Sequence, residues 1–169
     1  MKMKTNLKGI IILLSLAVFI AGCAPVISKN VLESADRTIG FTDLARDPDT
    51  YRGKTVVLGG VVIKVENLED RTVAEVLDTT LDGSLKPVNI DESKGRFIVE
   101  FTGFKDPFVY TGRLITVVGK VAGTQSKEIG RKRYTYPVIT PVEHYLWRTP
   151  SYSDGPVRFG IGVGIMHSY

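Results

Sequence analysis

Glycines set inside β-branched runs constrain this chain more than any other feature. From Thr55 to Glu66 the sequence reads TVVLGGVVIKVE, with Gly59 and Gly60 in its middle, and from Arg113 to Gly123 it reads RLITVVGKVAG, interrupted by Gly119. Val, Ile and Thr are stiff at χ1 and pack well on a pleated surface, so both runs read as strands. A glycine inside a strand weakens it, and its presence marks a sharp bend or a close backbone approach. Each run is also entered the same way: Tyr51-Arg52-Gly53-Lys54 leads to Gly60, and Tyr110-Thr111-Gly112-Arg113 leads to Gly119. One solution is used twice, a turn glycine free to take φ > 0 and then a glycine at a bend. Two copies are too few for a stacked solenoid, which needs at least about three. The expectation is a sheet that curls.

The other elements follow from alternation and turn residues. Arg71 to Leu77 alternates after a turn at Asn67 to Asp70, and makes a hairpin with the first run. A polar connection from Asp78 to Lys94 leads to a third strand, Gly95 to Phe101, with Phe97, Val99 and Phe101 on one face. Lys105-Asp106-Pro107 is a turn, Arg113 to Gly123 the fourth strand, Thr124 to Lys132 a polar, basic loop, and Tyr134 to Trp147 the fifth strand. Pro137 and Pro141 mark that last strand as an edge or a broken one. A short helical turn is expected around Thr42 to Arg46, ended by Pro48 and Gly53. The expected fold class is all-β: a small five-stranded antiparallel OB-like barrel over 41–148, with an open sandwich as the competing architecture.

Ahead of the barrel lies a lipoprotein signal peptide. Lys2, Lys4 and Lys8 precede the apolar run Gly9 to Ile20, which is too short to span a bilayer unaided, and Ile20-Ala21-Gly22-Cys23 fits the bacterial lipobox. That match implies a diacylglycerol on the Cys23 sulfur, cleavage before Cys23 and acylation of the freed amine. Several acyl chains at about 0.8 kcal/mol per buried CH₂ anchor stably where one does not. Ala24 in place of Asp, by resemblance to enteric lipoproteins, points to the outer membrane, facing the periplasm. The expected organisation is 1–22 signal peptide, 23–40 lipidated N-terminus and tether with a helical turn at Val31 to Ala35, 41–148 barrel, and 149–169 Gly-rich tail. Removing three lysines with the signal lowers the net charge from +4 to about +1, which removes the basic footprint of a nucleic-acid binder. With Cys23 the single cysteine, no disulfide forms within the chain.

The lipobox, YRGKTVVLGGVVIKVEN, GRFIVEFTGFKDPFVYTGRLITVVGKVAG and YPVITPVEHYLW together resemble the Slp family of outer-membrane lipoproteins, named for a starvation-inducible member. The resemblance runs from the lipobox to about Trp147, and the tail beyond it is unmatched. It implies a lipid-anchored outer-membrane protein linked to stationary phase or stress, and it brings no catalytic residues to carry over.

The residues themselves point away from catalysis. His144 and His167 are the only histidines, too few for a zinc site of three or four N/S ligands. Asp43, Asp47 and Asp49 lack the rest of a calcium loop and read as a solvated acidic turn. No nucleophile elbow, S-x-x-K, H-E-x-x-H or Walker loop is present, and Glu143-His144 reads as a surface pair rather than partners of a serine. No enzyme, cofactor or metal is expected. The best polar patch is Lys127, Arg131, Lys132 and Arg133 with Tyr134 and Tyr136 beside them, a candidate for lipid phosphates, lipopolysaccharide or peptidoglycan carboxylates, weighed against a solvated hairpin loop. In the tail, Phe159, Ile161, Val163 and Ile165 alternate with glycine, as in the last strand of an outer-membrane barrel or in a flexible terminus. The expected function is a structural or interaction role in the envelope. A periplasmic carrier with an apolar pocket inside the barrel is the alternative, and an envelope hydrolase the third reading.

Overall fold

The β-branched runs form the long strands that their composition dictates. The computed structural model describes residues 25–148, so the signal peptide, Cys23 and the tail over 149–169 lie outside the described residues. The strands are β1 (Thr55–Asn67), β2 (Arg71–Asp78), β3 (Thr80–Leu81), β4 (Pro87–Val88), β5 (Arg96–Thr102), β6 (Leu114–Ile129) and β7 (Lys132–Leu146). Helical turns are α1 (Lys29–Glu33), α2 (Phe41–Arg46) and α3 (Pro107–Tyr110).

Five of the strands close a barrel in the order β1-β2-β5-β7-β6, and β3 and β4 pair as a small separate ribbon. Four of the barrel pairings are antiparallel, while β5 and β7 meet in parallel through Ile98↔Val138 and Val99↔Ile139. This is the OB-like barrel expected, with one refinement. A chain that places its last strand between the third and fourth must close with one parallel pair. It also removes the edge assigned to Pro137 and Pro141. The two prolines bracket the short parallel contact, so neither missing N–H falls within it.

The mid-strand glycines are where neighbouring strands come too close for a side chain. A Cβ at Gly60 would run into the Leu77 carbonyl, and one at Gly119 would lie 2.6 Å from the Thr140 oxygen. The β6–β7 register shifts at Val118/Gly119, which lets the wall turn.

The echo seen in sequence is a structural duplication, and it is longer than Tyr-x-Gly. Asp47-Pro48 precedes Tyr51 as Asp106-Pro107 precedes Tyr110. Asp49–Tyr51 forms a 3-10 turn and Pro107–Tyr110 is α3; Gly53 and Gly112 follow at φ 80° and 81°. The Gly53 N–H donates to Val121 O at 2.8 Å and Val121 N–H to Lys54 O at 2.9 Å, while Gly112 N–H donates to Val62 O at 2.7 Å and Val62 N–H to Arg113 O at 2.9 Å. Each turn thus extends the β1–β6 ladder at opposite ends.

The interior is filled by side chains, with Phe97, Val99 and Phe101 packed against Val56, Ile115 and Val117. Phe41 and Leu44 of α2 join the same core, and Tyr51 and Tyr110 pack against it from the two duplicated turns. These side chains occupy the interior in which the carrier reading places an apolar pocket. Each fully buried large side chain contributes about 1.5–3 kcal/mol.

Two segments differ from expectation. Residues 124–132 are not a loop: β6 and β7 continue as a hairpin arm to a two-residue turn in which Gly130 has φ 61°. The arm packs Tyr136, Ile129 and Tyr134 over Val73 and Ile98. The segment read as a tether is packed as well, with Ile27 fully buried against Val118 and Leu85.

Candidate functional site

A polar cavity of about 440 Å³ opens at the barrel mouth that α2 closes. That volume lies within the range of about 300–1,000 Å³ usual for small-ligand sites. Its walls are Arg37 to Gly40 with the first turn of α2 (Phe41 to Asp43), β1 at Val57 to Gly59, and Asp78 to Asp82 with Leu85, joined by Glu92 and Lys94.

Asp78 ends β2 in the same alternation as Ala74 and Val76, which belong to the core. It is only 6% exposed, and its carboxyl takes no hydrogen bond from the described residues. Burial pushes its pKa up to about 7, partly opposed by the Lys94 ammonium. Thr79 beside it is 4% exposed, and its hydroxyl has no partner either. Of the other three lining acids, Glu92 is exposed to water and two are occupied. Asp82 accepts from Ser84 Oγ at 2.6 Å and Lys86 N at 2.9 Å, and the Ser84 hydroxyl holds its carboxyl below the usual range. Asp43 accepts from Gly40 N at 3.1 Å and pairs with Arg46 at 3.1 Å. Asp78 is the buried charged group whose hydrogen-bonding capacity is left for a bound molecule, whereas the Thr79 hydroxyl is sealed from the cavity.

The residues singled out in sequence are not brought together. Cys23 lies outside the described residues. Arg131, Lys132 and Arg133 are exposed and Lys127 is half-buried, all on the hairpin arm, where Glu128 stands opposite Arg133. The arm is stitched to the barrel by Tyr136 Oη donating to Glu75 at 2.9 Å, by Arg96 donating to the same carboxylate at 2.8 Å, and by Tyr134 Oη accepting from Arg96 N at 2.9 Å. Asp43, Asp47 and Asp49 each serve a local turn: Asp47 accepts from Thr50 Oγ1 at 2.6 Å and Asp49 pairs with Arg52 at 2.8 Å.

Glu143 and His144 face opposite sides of β7, as adjacent strand residues must. Glu143 accepts from Ser28 N at 3.0 Å and Ser28 Oγ at 3.1 Å, which ties down the N-terminal segment. His144 shares a 3.0 Å hydrogen bond with Tyr110 Oη and stands edge-on to Phe101, 4.9 Å between centroids. Burial, with Lys105 adding to it, lowers the His144 pKa, and Glu143 opposes the shift. The serine, the glutamate and the histidine therefore form no triad.

At the opposite mouth, apolar side chains meet water. Phe108 is 94% exposed and Phe104 72%, with Val109 and Leu68 also exposed. The loop carrying Phe104 is held to the β1–β2 hairpin by Lys105 N donating to Thr72 Oγ1 at 3.0 Å and Asn67 Nδ2 donating to Lys105 O at 3.1 Å. Phe108 and Val109 occupy the places that Asp49 and Thr50 fill in the first copy of the duplicated turn. The turn forms equally with either pair, so folding does not demand the apolar one.

Residues 20–163 match the family model described as the outer membrane lipoprotein Slp family. The chain is 36% identical over 117 residues to an uncharacterized protein of Haemophilus influenzae, covering 69% of this chain and 64% of that protein, just under two thirds. It is 30% identical over 142 residues to the outer membrane protein Slp of Escherichia coli, 83% of this chain and 74% of that protein. It is 28% identical over 144 residues to the lipoprotein YeaY of Escherichia coli, 85% of this chain and 74% of that protein. No solved structure matches.

Proposed function

The chain belongs to the Slp family of outer membrane lipoproteins, and from that premise we propose that it is an interaction module of the cell envelope, held by acyl chains on Cys23 and facing the periplasm. The observation that supports an interaction role is the exposed rim of Leu68, Phe104, Phe108 and Val109. Exposed apolar groups gathered at one mouth mark contact surfaces. The duplicated turn supplies an internal control, because Asp49 and Thr50 hold the same positions at no loss of fold. A stress or stationary-phase link is part of the proposal through the family resemblance, and the partner is taken to be another envelope protein.

Two experiments test this. Cys23→Ser should abolish palmitate labelling and leave the precursor uncleaved; labelling that persists in the variant overturns the anchor. A photo-crosslinker placed at position 104 in intact envelopes should give a discrete protein adduct, and the adduct should vanish when Phe108→Asp and Val109→Thr are introduced together. Adducts to lipid alone, or none, overturn the protein-contact reading.

A further inference from the structure

The geometry of the α2 mouth points to a second activity, independent of acylation: we propose that the cavity at Asp78 binds a small molecule through a primary ammonium group. Four carboxyls and two cations line it, and the carboxyls nearest the segment leading into α2 and the β3 ribbon are already engaged within the protein. Asp78 and Glu92 are not, and of these two Asp78 alone is buried. A carboxyl more than nine-tenths buried that takes no hydrogen bond from the described residues is costly unless something fills its capacity. An ammonium donates three hydrogen bonds and accepts none, which suits a carboxylate. An anion meets the opposite fit, since Arg37 and Lys94 are outnumbered by Asp43, Asp78, Asp82 and Glu92.

Proton linkage makes the proposal discriminating. With the Asp78 pKa near 7, an ammonium selects the ionised carboxylate and releases the proton on binding. A primary amine stays charged throughout, with a pKa of about 10. The ionised fraction rises from about one tenth to nine tenths between pH 6 and pH 8, so the apparent Kd should fall about tenfold over that interval. A neutral ligand accepting from protonated Asp78 shows the reverse trend.

The test is calorimetric titration of the full-length protein, extracted from membranes in detergent, with putrescine and with ethanolamine at pH 6, 7 and 8. Saturable binding that tightens with pH is expected. Asp78→Asn should abolish it, with thermal melts checking that the variant is folded, and the pH trend of the unaltered protein tests the same carboxylate without any variant. Displacement of putrescine by vesicles of phosphatidylethanolamine, and not by vesicles of phosphatidylglycerol, assigns a lipid headgroup as the source; displacement by neither assigns a free amine. Absence of saturable binding by both amines, unchanged affinity in a folded Asp78→Asn variant, or affinity that weakens as pH rises overturns the proposal.

Discussion

A buried carboxyl that keeps its proton in the folded state but loses it in the unfolded chain makes stability fall as pH rises between the two pKa values. For Asp78 that window runs from 3.8 to about 7. The unfolded state has released the proton there and the folded state retains it, so the slope is negative, at most about 1.4 kcal/mol per pH unit, and flat above pH 7. Asp36 and Asp82, whose carboxyls are held low by Thr38 and Ser84, contribute the opposite trend only at more acid pH. Asp78→Asn should therefore raise the Tm at pH 8 and leave it nearly unchanged at pH 4, as read by thermal melts at both values. Thr79→Val should stabilise by about 1 kcal/mol, because it removes a buried hydroxyl without a partner and keeps the side-chain shape; urea melts check it. The sequence held a sign of this site. Asp78 continues the Ala74, Val76 alternation, so a carboxylate stands where the pattern calls for an apolar side chain. What covers it comes from residues 37–43 and 92–94, far away in the chain, and alternation carries no record of that.

Among the elements, the duplicated turn was the most legible, because a glycine needing φ > 0 leaves a mark that polar substitution does not blur. The structure sorts its glycines into two kinds. Gly53 and Gly112 sit at φ 80° and 81° with open space around the missing side chain, whereas Gly60 faces the Leu77 carbonyl. Gly53→Ala and Gly112→Ala should each cost about 1–2 kcal/mol of conformational strain and remain folded. Gly60→Ala should cost several times as much or prevent folding, since the β1–β2 wall must open to admit the methyl group; denaturant midpoints of the three variants rank them. The hairpin arm was less legible. Its alternation is carried by Lys127, Glu128, Ile129, Lys132 and Arg133, mostly charged residues, so the pattern reads as a loop until the register with Tyr134 and Tyr136 is known. The partner that holds the arm, Glu75, lies on β2 and is distant in sequence.

At the scale of the whole molecule, the packed N-terminal segment changes how the barrel stands relative to its proposed anchor. Sequence composition reads residues 24–37 as a polar tether with a helical turn at Val31 to Ala35, because its residues are mixed and polar and its apolar positions few. Those few, however, cover the outside of the barrel. Ile27 is fully buried, with Val31 and Leu32 packed beside it against Val57, Val118 and Tyr145, and Glu143 holds the Ser28 backbone. Only Ala24 stands between Cys23 and Pro25, the first residue described, so at most about 7 Å of chain separates the Cα atoms of Cys23 and Pro25. If Cys23 carries the acyl chains, as proposed, the barrel is seated at the lipid surface rather than suspended below it. If the segment is part of the fold, Ile27→Ala should destabilise by about 2–4 kcal/mol, the cost of a large-to-small change at a closed core site. A tether residue would cost nothing. Inserting a Gly/Ser spacer between Ala24 and Pro25 should leave the denaturation midpoint unchanged, because no described contact crosses that point. The pair of measurements separates packing from anchoring: a neutral Ile27→Ala returns residues 25–40 to the role of a linker, while a spacer that lowers the midpoint shows that the anchor itself contributes to the fold.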